Sequence, residues 1–185
     1  DRIFTEAKKR GVKCVAIMLN TDPDEMIFIA KRIKPNILHI AGMEFTADKS
    51  FAERLHKECP GVKLMQAVLV DGPEAIARAK EYANFCDYIL TDSGLAADTG
   101  IGASGMTHDW NIDAEIVRSI NIPVIIAGGL GPDNVEECIK QVKPYGVDSL
   151  TRTSYKYTDG VMEKDIPKVK EFCERANKIA EELGL

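Results

Sequence analysis

The chain has 185 residues, 45% of them hydrophobic, and a formal net charge of −5 at pH 7. This length is sufficient for one domain with a substantial core, and the slightly acidic balance leaves no basic excess for binding nucleic acid. No apolar run approaches the ~20 residues that cross a bilayer, and no signal-peptide pattern is present, so we expect no membrane partner.

The five cysteines are odd in number, widely spaced and free of any C-x-x-C pair. This pattern is typical of reduced thiols and predicts a cytoplasmic protein. Their neighbours are mostly apolar, which favours small buried side chains over a catalytic role.

Strand and helix patterns alternate along the chain. Strands are predicted over 12–19, 36–40, 63–70, 86–90, 123–127 and 146–150, and helices over 1–10, 23–34, 50–58, 73–85, 113–119, 132–142 and 164–183. Such alternation is typical of parallel strands joined by crossover helices, and both an open doubly wound sheet and a closed α/β TIM barrel, (β/α)8, satisfy it. No predicted strand precedes the first helix. For a barrel, we therefore expect residues 1–185 to form a single domain that covers about strands 3 to 8 and lacks an N-terminal β-α-β segment.

The strand predicted over 123–127 runs directly into Gly128 and Gly129, and Pro132 marks the start of the next helix. Paired glycines at the carboxyl end of a strand let backbone N–H groups approach an anion, and the positive N-terminal end of a helix adds to the attraction. The pattern predicts a phosphate site. The alternative is that the two glycines only form a tight turn.

Asp92 stands where a predicted strand meets the longest connection of the chain, the glycine-rich segment 93–105. Long loops of this kind in compact domains are usually lids, binding loops or disordered, and this end of a barrel strand forms the active-site face. The position favours a catalytic carboxylate at Asp92, with a local turn cap as the alternative. The His108-Asp109 pair that follows is typical of a helix start.

Seven motifs, all of them beyond residue 86, occur in the order and at the spacing of a known family. They are Ile89–Asp92, Gly102–Gly105, His108–Trp110, Ala127–Leu130, Pro132–Val135, Lys143–Asp148 and Lys164–Asp165. In these motifs the second half of the chain resembles the phosphoribosylanthranilate isomerases, and the first half resembles them more loosely. Members of that family are (β/α)8 barrels that carry out an Amadori rearrangement of an N-phosphoribosyl aromatic amine in tryptophan biosynthesis, with no metal or organic cofactor.

The resemblance implies roles for individual residues. Asp92 would be the general acid that protonates the furanose ring oxygen, and the general base would be a cysteine on a first strand upstream of this chain. The phosphorylated small-molecule substrate would bind at Gly105, Gly128, Gly129, Asp148, Thr151 and Arg152. A monomer and a homodimer both remain open.

The chain departs from the family after Asp148. Where the family has a Ser-Ser-Gly-Val-Glu type of segment, Arg152 stands in place of the glycine. Its guanidinium can bind phosphate, or it can pair with a surface carboxylate such as Asp159 or Glu163. Two other functions stay open: another phosphosugar enzyme of the epimerase or aldolase type, and a noncatalytic homologue that binds a phosphorylated metabolite or a protein.

Overall fold

The computed structural model of the chain describes residues 2–42, 44–96, 100–101, 107–157 and 161–185. One parallel sheet contains the strands β1 (Val15–Met18), β2 (Ile37–Ile40), β3 (Lys63–Leu69), β4 (Tyr88–Asp92), β5 (Val124–Ile126) and β6 (Gly146–Val147). The helices are α1 (Arg2–Lys9), α2 (Pro23–Ile33), α3 (Lys49–Glu58), α4 (Glu74–Tyr82), α5 (Trp110–Ser119), α6 (Val135–Val142) and α7 (Ile166–Leu183). No helix in these ranges is long and apolar enough to cross a membrane.

The order of the strands decides between the two architectures. All neighbouring pairs are parallel, and the order in the sheet is the order in the chain, from β1 to β6. A doubly wound sheet reverses its strand order at a switch point, whereas a barrel sheet keeps adding strands in one direction. The sheet is therefore the β-sheet of a (β/α) barrel, with six of its strands present among the described residues.

Side chains on the two faces of the sheet pack against different partners. The outer face, with residues such as Leu38, Leu64 and Ile126, forms the main core with the helices. The inner face forms a smaller cluster of strand residues, Ile37, Met65, Leu90 and Ala127. Parallel strands buried on both faces have continuous apolar runs, which is the pattern the sequence shows.

The inner face is open at the β1 edge. Strand registers place Val15 and Ile17 on the same face as Ile37 and His39 of β2. Val15 is 39% exposed and Ile17 is 62% exposed, whereas their outward-facing neighbours on β1 are buried.

Helix starts follow local capping chemistry. Asp22, Asp48, Asp109 and Asp165 each accept a backbone N–H of the first turn of their helix. Because Asp109 is such a cap, α5 begins at Trp110, three residues earlier than predicted. The start of α6 differs in the other direction: the side chain of Asn134 bonds the preceding turn, and the helix begins at Val135 instead of Pro132.

Two short antiparallel pairs were not predicted from the sequence. They join Leu95–Ala96 to Gly100–Ile101 and Ser154–Lys156 to Met162–Lys164. The second pair follows a 3₁₀ turn at Thr151–Thr153, so the strand predicted over 146–150 ends at Val147.

Candidate active site

The carboxyl ends of β4, β5 and β6 enclose one concave pocket, which we call the mouth. Six of the seven predicted site residues line it: Asp92, Gly128, Gly129, Asp148, Thr151 and Arg152. Gly105 lies outside the described residues, as do 97–99 and 102–104 of the connection predicted to be a lid or binding loop. Parallel pairing of β4 with β5 and β5 with β6 brings these positions together from distant parts of the chain.

Asp92 is the last residue of β4, and its carboxylate is partly buried in the mouth. Burial is the main cause that raises the pKa of Asp92 to about 6, and the nearby charge of Asp148 adds to the rise. A hydrogen bond from the Ser93 N–H to Asp92 Oδ1, 2.7 Å long, opposes it. A carboxyl group with this pKa keeps a protonated fraction near neutral pH, which a general acid requires.

Gly128 and Gly129 form a turn that only glycine accommodates easily. Their φ angles are +81° and +62°, in the left-handed region. A Cβ on Gly128 would lie 2.8 Å from the Ser93 N and 2.9 Å from His108 Nδ1. The turn is braced by Asn134, which accepts from the Gly131 N–H at 2.8 Å and donates to the Gly129 carbonyl at 3.0 Å.

Arg152 extends from the 3₁₀ turn over the glycine turn. Its Nη1 donates to the Gly129 carbonyl at 3.0 Å, and its Nη2 pairs with Asp133. Arg152 therefore pairs with a carboxylate in this structure, and the partner is Asp133 instead of Glu163. Its role in phosphate binding stays a prediction. Glu163 instead accepts from the Tyr157 hydroxyl at 2.8 Å. Asp159 lies outside the described residues.

Asp148 follows β6 and faces Asp92 across the mouth. It keeps a solvent-accessible side, but the surrounding protein atoms raise its pKa, and the charge of Lys164 opposes that rise. Lys164 Nζ donates to the carbonyls of Ser149 and Leu150 at 3.1 and 3.2 Å and to Thr153 Oγ1 at 3.0 Å. Lys164 thus fixes the backbone between β6 and the 3₁₀ turn.

A buried histidine–aspartate pair beside the mouth was missed by the sequence analysis. His108 Nε2 and Asp113 Oδ2 are 2.5 Å apart, and their side chains are only 5% and 0% exposed. The signal in the sequence was Asp113 itself, because it lies on the apolar face of α5 beside Ala114 and Ile116. A carboxylate on a buried helix face requires a partner.

The five free cysteines lie away from the mouth. Cys14 and Cys86 precede their strands, Cys59 ends α3, and Cys138 and Cys173 belong to helices. Four are buried, as expected, and Cys173 is exposed. Burial raises the pKa of Cys86 and of Cys138 to about 12, which is the opposite of what a general base requires.

Fold and site together define the class: an α/β barrel with a carboxylate-lined pocket at the carboxyl ends of its strands. Residues 1–175 match the family described as N-(5'phosphoribosyl)anthranilate (PRA) isomerase. The chain belongs to this family. The family, the barrel fold and the isomerase class expected from the sequence are thereby confirmed.

Individual relatives agree with this assignment. The chain is 33% identical over 174 residues to the N-(5'-phosphoribosyl)anthranilate isomerase of Methanocella arvoryzae, covering 94% of this chain and 77% of that protein. It is 39% identical over 120 residues to the enzyme of the same name from Haloferax volcanii, covering 65% of this chain and 50% of that protein. The chain thus spans about three quarters of the first relative and half of the second.

Solved structures show the same fold. The N-(5'-phosphoribosyl)anthranilate isomerase of Pyrococcus furiosus superposes with a TM-score of 0.70 at 28% identity, over 96% of this chain and 80% of that one. A phosphoribosyl anthranilate isomerase in complex with reduced 1-(O-carboxyphenylamino)-1-deoxyribulose 5-phosphate gives 0.69 at 22% identity, over 90% and 72%.

Proposed function

We propose that the chain supplies the acid and the substrate-binding mouth of an N-(5'-phosphoribosyl)anthranilate isomerase. The observation that carries this proposal is the partly buried carboxyl group of Asp92, with a pKa of about 6, in one pocket with the Gly128–Gly129 turn. In the proposed reaction Asp92 donates a proton to the furanose ring oxygen, and the ring opens. Removal of the proton on the neighbouring carbon then gives the enol form of the 1-amino-1-deoxyketose product.

The general base is the part of the mechanism that these residues do not supply. None of the five cysteines lies at the carboxyl end of a strand. We propose that the base is a cysteine on a strand beyond the β1 edge, opposite Asp92 in the complete barrel. The exposed inner-face residues Val15 and Ile17 support this arrangement, because two further strands would cover them.

The phosphate group of the substrate is proposed to lie against the Gly128–Gly129 turn and the segment that begins at Ser149. Backbone N–H groups of such turns can point at an anion without a side chain in the way. Asn134 and Lys164 support this placement because they occupy the carbonyls of Gly129, Ser149 and Leu150. We propose that Asp148 accepts hydrogen bonds from sugar hydroxyls, since a carboxylate in contact with phosphate would repel it.

Two broader assignments belong to the same proposal. A cytoplasmic location is supported by the five free cysteines, four of them buried. A single barrel domain over residues 1–185, completed by further strands, is supported by the continuous order of β1 to β6.

The test is turnover of N-(5'-phosphoribosyl)anthranilate, followed by the loss of its fluorescence, with the full-length protein. We expect saturable isomerisation that inorganic phosphate inhibits by competition. Ribulose 5-phosphate and an aldol substrate are the comparison arms, and we expect no conversion of either. Conversion of either comparison substrate, without isomerisation of N-(5'-phosphoribosyl)anthranilate, would instead favour an epimerase or aldolase function. Binding of a reduced product analogue without any turnover would favour the noncatalytic function.

A further inference from the structure

His108 and Asp113 form a buried hydrogen-bonded pair next to the proposed acid. The backbone N–H of Ser93 bonds Asp92. Both this nitrogen and His108 Nδ1 lie close to Gly128, at 2.8 and 2.9 Å from the position that its Cβ would occupy. His108 thus faces the junction of Asp92 and Ser93 across the glycine turn. Neither His108 nor Asp113 lines the mouth itself.

The pair leaves two polar atoms without a hydrogen-bond partner among the described residues, His108 Nδ1 and Asp113 Oδ1. A buried polar atom without a partner is costly, and a buried ion pair contributes little stability compared with apolar side chains of similar volume. A role in stability alone therefore explains the pair poorly. Its position beside Asp92 offers a functional explanation.

We propose that His108, held in place by Asp113, is a positioning residue that acts through Asp92 and keeps the acid in its reactive geometry and protonation range. This inference rests on the proposed function of Asp92 as the general acid. Asp113 accepts from the Nε2–H of His108 and fixes the ring, so that Nδ1 always points toward Ser93 and Gly128.

The charges around Asp92 give the direction of the effect. Asp148 faces it from the end of β6, and His108 and Asp113 face it from the start of α5. The two aspartates act to raise the pKa of Asp92, and His108 acts to lower it. Arg152, on the same mouth, is paired with Asp133, and Lys164 acts on Asp148. Removal of the imidazole should therefore raise the pKa of Asp92, so that Asp92 holds its proton to higher pH.

The first experiment measures the pH dependence of kcat/KM for His108→Gln. Glutamine can place an amide N–H where Nε2 donates to Asp113, but it carries no charge. We expect the basic limb of the profile to move to higher pH by at least about 0.5 unit, because the basic limb reports the acid of the free enzyme. We expect kcat to fall severalfold and KM to change less than about twofold, since His108 does not touch the substrate.

The matched control is His56→Gln. His56 pairs with Asp87 at 2.8 Å, but this imidazole is exposed and the pair lies at the amino-terminal end of β4. We expect its pH profile to match that of the wild type. A His108→Gln profile that also matches the wild type, in a folded variant, would overturn the proposal and leave a structural role.

A second measurement does not depend on how the His108 variants fold. Coupling between two sites is reciprocal, so Asp92→Asn should change the imidazole nitrogen chemical shifts of His108 in NMR. We expect those of His56 to be unaffected, and unchanged chemical shifts of His108 would also overturn the proposal. Wild-type turnover and its loss in Asp92→Asn test the proposed function separately, so the two failures can be told apart.

Discussion

Asp87 and Asp92 stand at opposite ends of the same strand and have opposite properties. Asp87, just before β4, accepts hydrogen bonds from Lys63 Nζ at 2.7 Å, from the Leu64 N–H at 2.8 Å and from His56 Nε2 at 2.8 Å. Partial burial acts to raise its pKa, but these bonds together hold the pKa below its usual value. Asp92, at the far end, has a pKa raised to about 6 by burial and has the hydrogen bond from Ser93.

The opposite pKa shifts of Asp87 and Asp92 assign different tasks to the two ends of β4, a strand of five residues. At the amino-terminal end the carboxylate is matched by donors, so the ionised form stabilises the fold. At the carboxyl end burial moves the pKa toward neutral pH, so that a protonated fraction is available to donate. Barrel enzymes generally place catalysis at the carboxyl ends of their strands and stability at the other end. With the role proposed for Asp92, this chain would divide the two tasks between two residues of the same type.

The largest expected effect comes from Asp92→Asn. The substitution removes the proton donor but keeps the shape of the side chain, so kcat should fall by at least ~10²-fold. The free energy of unfolding should rise at pH 7 by about 1 to 2 kcal/mol, because the substitution removes a carboxylate that opposes folding. The gain is smaller than the full pKa shift would give, since solvent screens the partly exposed group. Steady-state turnover and urea unfolding measure the two quantities.

Asp87→Asn is the matched control at the other end of β4. We expect kcat within a few-fold of the wild type and a loss of about 1 to 2 kcal/mol in the free energy of unfolding, because charge-assisted hydrogen bonds to Lys63 and Leu64 are weakened. A large loss of turnover here, with the fold intact, would mean that the two ends of β4 are not functionally separate.

The next largest effect is expected for Gly128→Ala. The backbone at Gly128 is left-handed, which alanine adopts only with strain, and the new Cβ would lie within 3 Å of Ser93 and His108. We expect a loss of about 2 to 3 kcal/mol in stability and at least ~10-fold weaker binding of phosphate-bearing ligands, since the turn must shift. Calorimetric titration with a reduced product analogue measures the affinity.

Gly61→Ala separates backbone strain from the site. Gly61 has a φ of +87°, and no atom lies within 4 Å of where its Cβ would be. It therefore carries the strain of a left-handed alanine, about 1 kcal/mol, without the contacts. We expect unchanged ligand affinity. If Gly61→Ala weakened the affinity as much as Gly128→Ala does, the glycine turn would lose its proposed role.

Much of the fold and of the candidate site could be predicted from the sequence. The contacts that could not be predicted have a physical reason. The strand–helix alternation and the strand-end positions of Asp92 and Gly128 are local patterns, and parallel pairing then brings them into one mouth. The pairing of His108 with Asp113 depends on how far α5 extends toward its N-terminus, which periodicity does not fix. The partner of Arg152 depends on a 3₁₀ turn that has no sequence signature comparable to a helix cap.

The two aspartates should also respond differently to acid. The pKa of Asp92 is higher in the folded than in the unfolded chain, so its carboxylate opposes folding above about pH 6, and this effect disappears as the pH falls toward 4. The pKa of Asp87 is lowered by folding, so its contribution is present at neutral pH and is lost only as the pH falls below its usual range. Urea unfolding at pH 7 and pH 5 should show the advantage of Asp92→Asn shrinking and the deficit of Asp87→Asn unchanged.

The smallest effect is expected for Arg152→Ala, on the mouth side of the comparison. The guanidinium is already bonded to the Gly129 carbonyl and paired with Asp133. We therefore expect it to affect phosphate binding indirectly, by holding the shape of the glycine turn. We expect a stability loss of no more than about 1 kcal/mol and only a few-fold weaker binding of inorganic phosphate in calorimetry. Arg175→Ala is the control, because Arg175 donates to the Pro132 carbonyl at 2.8 Å outside the mouth. A loss above ~10-fold for Arg152→Ala alone would mean that the guanidinium leaves Asp133 and binds the phosphate directly, as a charge-assisted ligand would.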